Sequence, residues 1–301
     1  MKLGLHLPQI AIPDGAAHGN IRADIARIAA RAEREGYASI WVSDHLLTPS
    51  AGAAINAVEI LEPIVTLAYA AAITTTIRLG TSVIVVPYRG AVHLAKELAT
   101  LDLLSEGRVI AGLASGWLEP EFRALGAPFE RRGEYTDEAI RVMRACWASA
   151  TPEFAGEFST LSGMSFGPRP AAGNIPIWIG GISRRAIRRA LELGDGWHGT
   201  RMTPEQLAER LRWLRQGAER IGRDLRGFAL SHRVYVGFAE KWTETGGYVE
   251  GILAPPSQLA EYLHRFAELG IGELLITPLV GARGLDAFLD RFDREVRAAL
   301  G

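Results

Sequence analysis

Two adjacent polar residues, Asp44 and His45, directly follow a short hydrophobic run and could carry proton chemistry. A histidine can hold or release a proton near neutral pH, and a neighbouring carboxylate can orient its ring or stabilise its charged form. Asp44 could equally cap the following turn, while His45 makes only a backbone hydrogen bond. The pair alone therefore leaves a catalytic and a structural role open.

The turn Gly180-Gly181-Ile182-Ser183 has the composition of an anion-binding site. Two glycines allow the backbone to approach a ligand closely, and Ser183 can cap the helix that begins there. The free N–H groups of a helix start attract an anion, and Arg184 or Arg185 can add positive charge. The turn therefore favours a phosphate, although the chain lacks the glycine fingerprints of Rossmann and P-loop folds.

Further candidates stand where other short hydrophobic runs end. They are His6 with Gln9, Thr81-Ser82-Val83, Ser115-Gly116-Trp117, and His198 with Thr200. Trp117 follows a serine and a glycine, so its ring could face a ligand. The remaining tryptophans of interest lie within predicted strands, and their spacing is typical of packing residues: Trp41, Trp178 and Trp197.

Three histidines at strand ends raise the question of a metal. His6, His45 and His198 show no HxH or HxxxH spacing and no obvious carboxylate as a fourth ligand. We therefore expect no metal site. Cys146 is the only cysteine, which excludes an intramolecular disulfide and a thiolate metal cluster.

The elements that must position these residues follow from an alternation of short β-branched runs with segments of helical periodicity, repeated eight times. The predicted strands are 2–7, 39–43, 78–86, 108–114, 176–180, 196–200, 227–237 and 273–277. The predicted helices are 21–35, 59–75, 91–105, 131–148, 183–193, 204–221, 257–269 and 285–299. This order predicts an α/β fold, a single (β/α)8 TIM barrel over residues 1–301, with its site at the C-terminal strand ends.

Two segments interrupt the alternation. Residues 152–170 predict an inserted hairpin packed outside the barrel, and residues 241–256 predict an irregular excursion after the seventh strand. We expect a substrate pocket lined by residues 48–57, 117–122 and 241–256. Their small and apolar side chains favour a neutral, fairly apolar small molecule as substrate.

Composition excludes several other classes of protein. The net charge is −1, and no clustered basic stripe suggests nucleic-acid binding. The longest apolar stretch, 64–77, contains four threonines and is too short to span a bilayer. The start of the chain is too interrupted for a signal peptide. We therefore expect a cytoplasmic protein with no membrane partner.

The sequence resembles the bacterial luciferase-like oxidoreductases, a superfamily whose members use FMN or the deazaflavin coenzyme F420. The resemblance is strong over residues 1–235 and looser over the last barrel unit. It is carried by GLHLPQ at 4–9, SDHL at 43–46, LGTSVIVVP at 79–87, LAKELATLDLLSEGRVIAGLASGW at 94–117, FGPRP at 166–170 and PIWIGGISRRAIRRALELGDGW at 176–197.

This resemblance implies a cofactor lying across the C-terminal strand ends, with its phosphate at Gly180–Ser183. It also implies a bulge in the third strand with a non-proline cis peptide, which would fall at Ser82-Val83, and ring contacts from Asp44 and His45. The full cofactor-binding set that we expect is His6, Asp44, Thr81, Ser82, Val83, Ser115, Trp117, Gly180, Gly181, Ile182 and Ser183.

The resemblance also implies the reaction class. With F420, a hydride would pass between the cofactor and a substrate carbon; His45 is the first choice for proton transfer, with Asp44 and Glu121 as further candidate catalytic residues. With FMN, the reduced cofactor would react with oxygen and insert one oxygen atom into the substrate. The motifs and the short chain favour F420; an FMN monooxygenase and a non-catalytic flavin-binding barrel stay open as alternatives.

Two further expectations rest on the resemblance. The F420-dependent sugar-phosphate dehydrogenases have a catalytic glutamate at the place that Trp117 occupies here, which disfavours that activity. A homodimer is expected, with either the inserted hairpin or the helix at 59–75 supplying the contact.

Overall fold

Eight parallel strands close into a barrel in the computed structural model, which describes residues 1–10, 20–49, 59–245 and 251–300. Each strand pairs with the next along the chain, and the last pairs with the first in the register Lys2↔Glu273. The strands are β1 (Lys2–His6), β2 (Ser39–Val42), β3 (Arg78–Thr81), β4 (Val109–Ala114), β5 (Ile177–Gly180), β6 (Gly196–Thr200), β7 (Ala229–Phe238) and β8 (Glu273–Pro278). The predicted (β/α)8 barrel is confirmed.

A helix follows each strand and packs on the outside of the barrel. The helices are α1 (Ile21–Arg34), α2 (Pro63–Ile73), α3 (Ala91–Leu104), α4 (Arg132–Ala148), α5 (Arg184–Leu193), α6 (Pro204–Ile221), α7 (Pro256–Glu268) and α8 (Leu285–Phe292). A short additional helix, Glu119–Ala124, lies between β4 and α4. None of the helices in the described ranges has both the length and the apolarity needed to cross a membrane.

The second helix begins four residues later than its periodicity predicts. Pro63 occupies its first turn, and the carboxylate of Glu62 accepts a hydrogen bond from the N–H of Val65 at 2.7 Å, which caps the helix start. Ile60 instead forms an isolated bridge with Ile10. Apolar spacing continues through this stretch, but the proline and the cap set the boundary.

The third predicted strand is interrupted at residues 82–83. Gly80 pairs with Ile110 and Ile84 pairs with Leu113, so the third strand contains one more residue than β4 over this stretch. The Ser82-Val83 peptide bond is cis, as the family resemblance implies. The bulge lies at the C-terminal edge of the barrel, where a site is expected.

Short strands occupy the two segments that interrupt the alternation. Phe154–Ala155 and Thr160–Leu161 form the predicted hairpin, held to α4 because the Glu138 carboxylate accepts the N–H groups of Glu157 and Phe158. After β7, strands Thr243–Thr245 and Gly251–Ala254 pair with each other, and the second also pairs with β7. This excursion is therefore more regular than expected. Residues 246–250 and 50–58, which include most of the expected substrate loop, lie outside the described residues.

Tryptophan side chains fill the barrel below the site. Trp41 and Trp178 lie inside the barrel with ring centroids 5.5 Å apart. A Cβ atom at Gly80 would lie 2.3 Å from the Trp41 ring, so the glycine provides the space for it. Trp197 instead faces the helices and donates from Nε1 to the Gly181 carbonyl at 2.7 Å. All three are packing residues, and Trp41 and Trp178 fill the barrel interior beneath the strand ends.

Candidate active site

A cavity of about 680 Å³ opens at the C-terminal ends of the strands. Of the residues predicted to form the site, the structure places the following in its lining: Asp44, His45, Ser82, Val83, Ser115, Trp117, Gly180, Gly181, Ile182 and Ser183. These residues come from β2, β3, β4 and β5 and their following turns. Residues distant in sequence therefore meet around one space, as the barrel topology requires.

The ring of His45 is held by Glu121, not by its neighbour Asp44. His45 Nδ1 lies 2.7 Å from Glu121 Oε2, although the two residues are 76 positions apart. Both side chains are buried, and the Trp117 ring meets the His45 ring edge-on at a centroid distance of 6.2 Å. Because an ionised carboxylate only accepts hydrogen bonds, this contact favours the tautomer with the proton on Nδ1.

Glu121 is a well-satisfied carboxylate. Its Oε1 accepts the N–H groups of Leu46 and Leu47 at 2.6 and 3.0 Å, and its Oε2 accepts the Tyr88 hydroxyl at 2.8 Å as well as the His45 bond. Burial acts to raise the pKa of Glu121, but these hydrogen bonds outweigh it and lower the pKa. Glu121 thus stays ionised and orients His45 from outside the cavity lining.

Asp44 forms a different interaction from the one that adjacency suggested. Its Oδ2 accepts from the Val85 N–H at 2.9 Å and from Arg89 Nη1 at 2.7 Å, and its Oδ1 accepts from Arg89 Nη2 at 3.1 Å. Arg89 also donates to Glu62 at 2.8 Å. Burial nevertheless raises the pKa of Asp44 above its usual value, against the lowering effect of Arg89. Asp44 therefore anchors the end of β2 to the segment after the bulge.

The glycine turn after β5 has the geometry of an anion-binding helix start. Gly181 adopts φ +118°, which side chains rarely tolerate, and Ser183 Oγ accepts the N–H of Ala186 at 3.2 Å. Within the described residues, the N–H groups of Arg184 and Arg185 make no hydrogen bond. These groups and the helix dipole suit a phosphate.

The two arginines at this helix start differ in position. Arg185 lines the cavity, whereas the Arg184 guanidinium stacks on the Trp213 ring of α6 at 4.1 Å. Arg132 and Arg189 also line this end of the cavity, and Arg189 donates to Asp137 and to the Gly133 carbonyl. The charge available to an anion here therefore comes from Arg185 rather than Arg184.

The cavity floor joins the bulge to β6 and β7. Ser82 Oγ lies 2.8 Å from His198 Nε2, and Arg233 Nη1 donates to the Ser82 carbonyl at 2.9 Å and to Ser43 Oγ at 2.8 Å. Burial, with a smaller contribution from Arg233, lowers the pKa of His198 to about 3. His198 is therefore neutral, and its ring stacks on Trp41 with centroids 5.3 Å apart.

Two predicted cofactor contacts lie below the cavity surface. His6 is buried, with its ring nitrogens bonded to the Leu7 carbonyl and Ser43 Oγ at 2.8 and 2.9 Å. Thr81 is fully buried, and its hydroxyl donates to the Gly112 carbonyl at 2.8 Å. Neither residue is among those that line the cavity, so their contact with a cofactor stays a prediction.

Sequence reasoning missed several residues that line the cavity from β7 and the end of β6. They are Arg201, Arg233 and Tyr235. The signal that could have found them is the polar alternation Ser231, Arg233, Tyr235 along one face of β7, because alternate side chains of a barrel strand point inward. Among the described residues, no group of three His, Cys, Asp or Glu side chains is placed to hold a metal ion.

The donor set fits a flavin-type cofactor. Gly181 has no side chain, so a ligand can approach the backbone there, and its φ of +118° would be strained for other residues. The first turn of α5 presents N–H donors near Arg185. At the other side of the cavity, the Ser82-Val83 bulge and the apolar Val85 and Ala114 offer a surface for a planar ring. One end of the cavity therefore suits an anionic tail, and the other suits a flat ring system.

Comparison with known proteins supports the same class. The model of a family described as luciferase-like monooxygenase matches residues 1–271. An uncharacterised protein of Mycobacterium tuberculosis (strain ATCC 25618 / H37Rv) is 31% identical over 185 residues, covering 57% of this chain and 66% of that protein. The FMNH2-dependent dimethylsulfone monooxygenase of Pseudomonas fluorescens (strain Pf0-1) is 33% identical over 132 residues, covering 43% of this chain and 35% of that enzyme.

A solved structure shares the fold over nearly the whole chain. It is an F420-dependent secondary alcohol dehydrogenase in complex with an F420-acetone adduct, with a TM-score of 0.82, 18% identity, and coverage of 99% of this chain and 98% of that one. At this identity the likeness concerns the fold alone. The sequence matches to the two curated relatives span less than two thirds of their length.

Proposed function

The chain belongs to the luciferase-like monooxygenase family, and on that premise we propose that it is an F420-dependent oxidoreductase acting on a carbon atom of a small organic substrate. The observation that carries this proposal is the His45–Glu121 pair at the cavity beside the Ser82-Val83 bulge. Bound F420 would supply two-electron hydride chemistry. The residues of this chain would supply orientation, shielding from water and a path for a proton.

The proton path follows from the chemistry of the substrate. When a hydride leaves or joins a carbon that bears oxygen or nitrogen, one proton must leave or join that heteroatom. His45 Nε2 would exchange this proton while Glu121 holds the other ring nitrogen and stabilises the charged ring. Asp44 and Arg89 would keep the end of β2 in register with the bulge rather than touch the substrate.

The cofactor would be held at two ends. The turn Gly180–Ser183 and Arg185 would bind its phosphate, and Ser82, Val83 and Trp117 would contact its ring. We propose further that the chain works as a single-domain homodimer in the cytoplasm; sedimentation of the purified protein as a monomer would contradict the dimer.

Cofactor titration tests the proposal directly. F420 and FMN are added separately to the purified protein, and cofactor fluorescence reports binding. We expect F420 to bind at least tenfold more tightly than FMN and to be reduced in the presence of a secondary alcohol from a screened panel. The assignment would be contradicted if F420 did not bind. It would also be contradicted if no member of a broad panel of alcohols, aldehydes and amines caused reduction of bound F420.

One observation favours a second candidate, an FMNH2-dependent monooxygenase. The Pseudomonas relative that matches this chain over 132 residues has that activity in its name. Oxygen consumption and product oxygenation with chemically reduced FMN distinguish the two candidates. Binding of either cofactor without any turnover would instead support a non-catalytic barrel.

A His45→Ala variant separates binding from chemistry. Because His45 lies at the ring end and its proton role is confined to turnover, we expect cofactor affinity within tenfold of the parent protein. Turnover should fall by about 10²–10⁴, the range that general acid–base groups contribute. Undiminished turnover would remove His45 from the mechanism.

A further inference from the structure

Four residues from the end of β6 and from β7 form one wall of the cavity. Thr200 and Arg201 stand at the end of β6, and Arg233 and Tyr235 stand on β7; all four line the cavity. Thr200 and Arg233 are register partners, and the Arg201 N–H donates to the Arg233 carbonyl at 3.4 Å. We call this group the β6–β7 wall.

Two of the five arginines that line the cavity stand on the β6–β7 wall, beside one aromatic ring. Two guanidinium groups lie over the Tyr235 ring, with Arg201 at 5.5 Å and Arg233 at 4.7 Å from its centroid. A guanidinium group is attracted to the face of an aromatic ring. Arg233 also donates to Thr277 Oγ1, Ser43 Oγ and the Ser82 carbonyl, which hold it in place. Within the described lining there are five arginines and two carboxylates, Asp44 and Glu130. Asp44 is bonded to Arg89, so it does not offset the charge of this wall.

A buried hydroxyl on the same wall has no hydrogen bond. Thr200 Oγ1 is shielded from solvent and finds no partner among the described residues. Most buried polar atoms are satisfied, and one that is not, in the wall of a cavity, is typical of a contact completed by a ligand. Thr200 is the register partner of Arg233 and directly precedes Arg201, and all three residues line the cavity.

We propose that the β6–β7 wall binds a carboxylate group carried by the organic substrate. This inference rests on the proposed function, because it names one part of the molecule on which that enzyme acts. The wall offers guanidinium and hydroxyl donors, and a planar carboxylate accepts in the geometry that arginine presents. The phosphate of the cofactor has its own site at Gly180–Ser183, on the turn after β5. The substrate is therefore an organic acid, not the neutral molecule that the loop composition suggested.

The substrate class is tested with matched probes that differ only in charge. Benzoate and benzamide are titrated by calorimetry into protein saturated with F420, which occupies the phosphate turn. We expect benzoate to bind at least tenfold more tightly than benzamide. Arg201→Gln should reduce this preference to threefold or less, and Thr200→Val should weaken benzoate severalfold while leaving benzamide unchanged. Arg184→Gln, whose guanidinium stacks on Trp213, is the matched control and should change neither probe.

The outcomes separate this inference from the proposed function. F420 binding with equal affinities for benzoate and benzamide would overturn the carboxylate site alone. If F420 does not bind, the same titration is made on the cofactor-free protein with Arg201→Gln and Arg185→Gln. Loss of benzoate binding only in Arg201→Gln supports the wall, whereas loss only in Arg185→Gln, or no preference for benzoate, overturns it. Circular dichroism checks that each purified variant is folded. If Arg201→Gln fails to fold, Arg201→Lys replaces it; lysine keeps the positive charge but lacks the paired N–H donors of a guanidinium, so benzoate binding should weaken at least threefold.

Discussion

Replacing Glu121 by glutamine removes one negative charge from a carboxylate that accepts four hydrogen bonds. The amide oxygen can still accept the N–H groups of Leu46 and Leu47, but the amide nitrogen must then face Tyr88 and His45. A hydrogen bond to a charged group contributes about 1.5–3 kcal/mol and one between neutral groups about 0.5–1.5 kcal/mol. The His45 ring and the Tyr88 hydroxyl can reorient to accept from the amide nitrogen, so both contacts persist as weaker neutral hydrogen bonds. We therefore expect Glu121→Gln to lower the free energy of unfolding by about 2–4 kcal/mol.

Acid titration gives this prediction a second readout. The pKa of Glu121 in the folded protein lies below its ordinary value of 4.5, so its stabilisation is complete above pH 4.5 and is lost as the pH falls through the folded pKa. The stability difference between parent and Glu121→Gln should therefore narrow below pH 4.5. Urea unfolding followed by tryptophan fluorescence measures it. Glu119→Gln is the control, since Glu119 is half exposed and pairs with a more exposed Arg123, and it should change stability by less than about 0.5 kcal/mol.

The same variant tests the role of Glu121 in catalysis. A glutamine nitrogen donates to His45 Nδ1, so the ring proton should move to Nε2, which nitrogen-15 NMR of the histidine detects. We expect turnover to fall by about 10²–10⁴ while cofactor affinity stays within tenfold, because Glu121 lies outside the cavity lining. A variant with parental stability, parental tautomer and parental turnover would refute the assignment of Glu121 as the residue that positions His45.

Three further predictions concern the phosphate turn and the segment that leads into β3. Gly181→Ala places a Cβ at φ +118° and 2.9 Å from the Ala186 Cβ; we expect a loss of about 1–3 kcal/mol in thermal unfolding and weaker cofactor binding by fluorescence, and unchanged values would contradict the turn geometry. Arg185→Gln should raise the cofactor Kd about tenfold at low salt and less at high salt, with Arg184→Gln as the unaffected control. Burial acts to raise the pKa of Glu33, but three backbone N–H groups and one hydroxyl donate to its carboxylate. These hydrogen bonds outweigh burial and lower the pKa from 4.5 to about 2. Glu33→Gln should cost about 1–2 kcal/mol in urea unfolding at neutral pH, after a discount for solvent exposure, and the cost should shrink as the pH falls from 4.5 towards 2.

Most of the barrel can be predicted from the sequence because each unit repeats two local signals, a β-branched run and a helical period. The same reasoning places α2 too early, since apolar spacing does not register the cap at Glu62 and the proline that follows it. The cis peptide at Ser82-Val83 came from resemblance alone, and no local pattern of residue types encodes it.

The site could be predicted only where its parts are contiguous in the chain. Gly180–Ser183 is one turn, and residue types alone predict the Ser183 cap and the position of the turn at the cavity. The partner of His45 lies 76 positions away, and no periodicity links the two; only the folded barrel brings the short helix Glu119–Ala124 against the turn after β2. Arg233 resembles an ordinary strand residue until the inward face of β7 is known, because polar residues on barrel strands can also face solvent-exposed edges.

The strands that supply each group divide the chemistry between two halves of the chain. His45, Arg89 and Glu121 all precede residue 125, so the pair proposed to move a proton belongs, with Arg89, to the first four β/α units. The phosphate turn and the β6–β7 wall follow residue 176 and belong to the last four. A relative could therefore inherit one half and diverge in the other. If the proposed roles hold, recombining C-terminal halves between relatives at the α4–β5 connection should change the ligands that bind, while the N-terminal half should retain the His45–Glu121 pair.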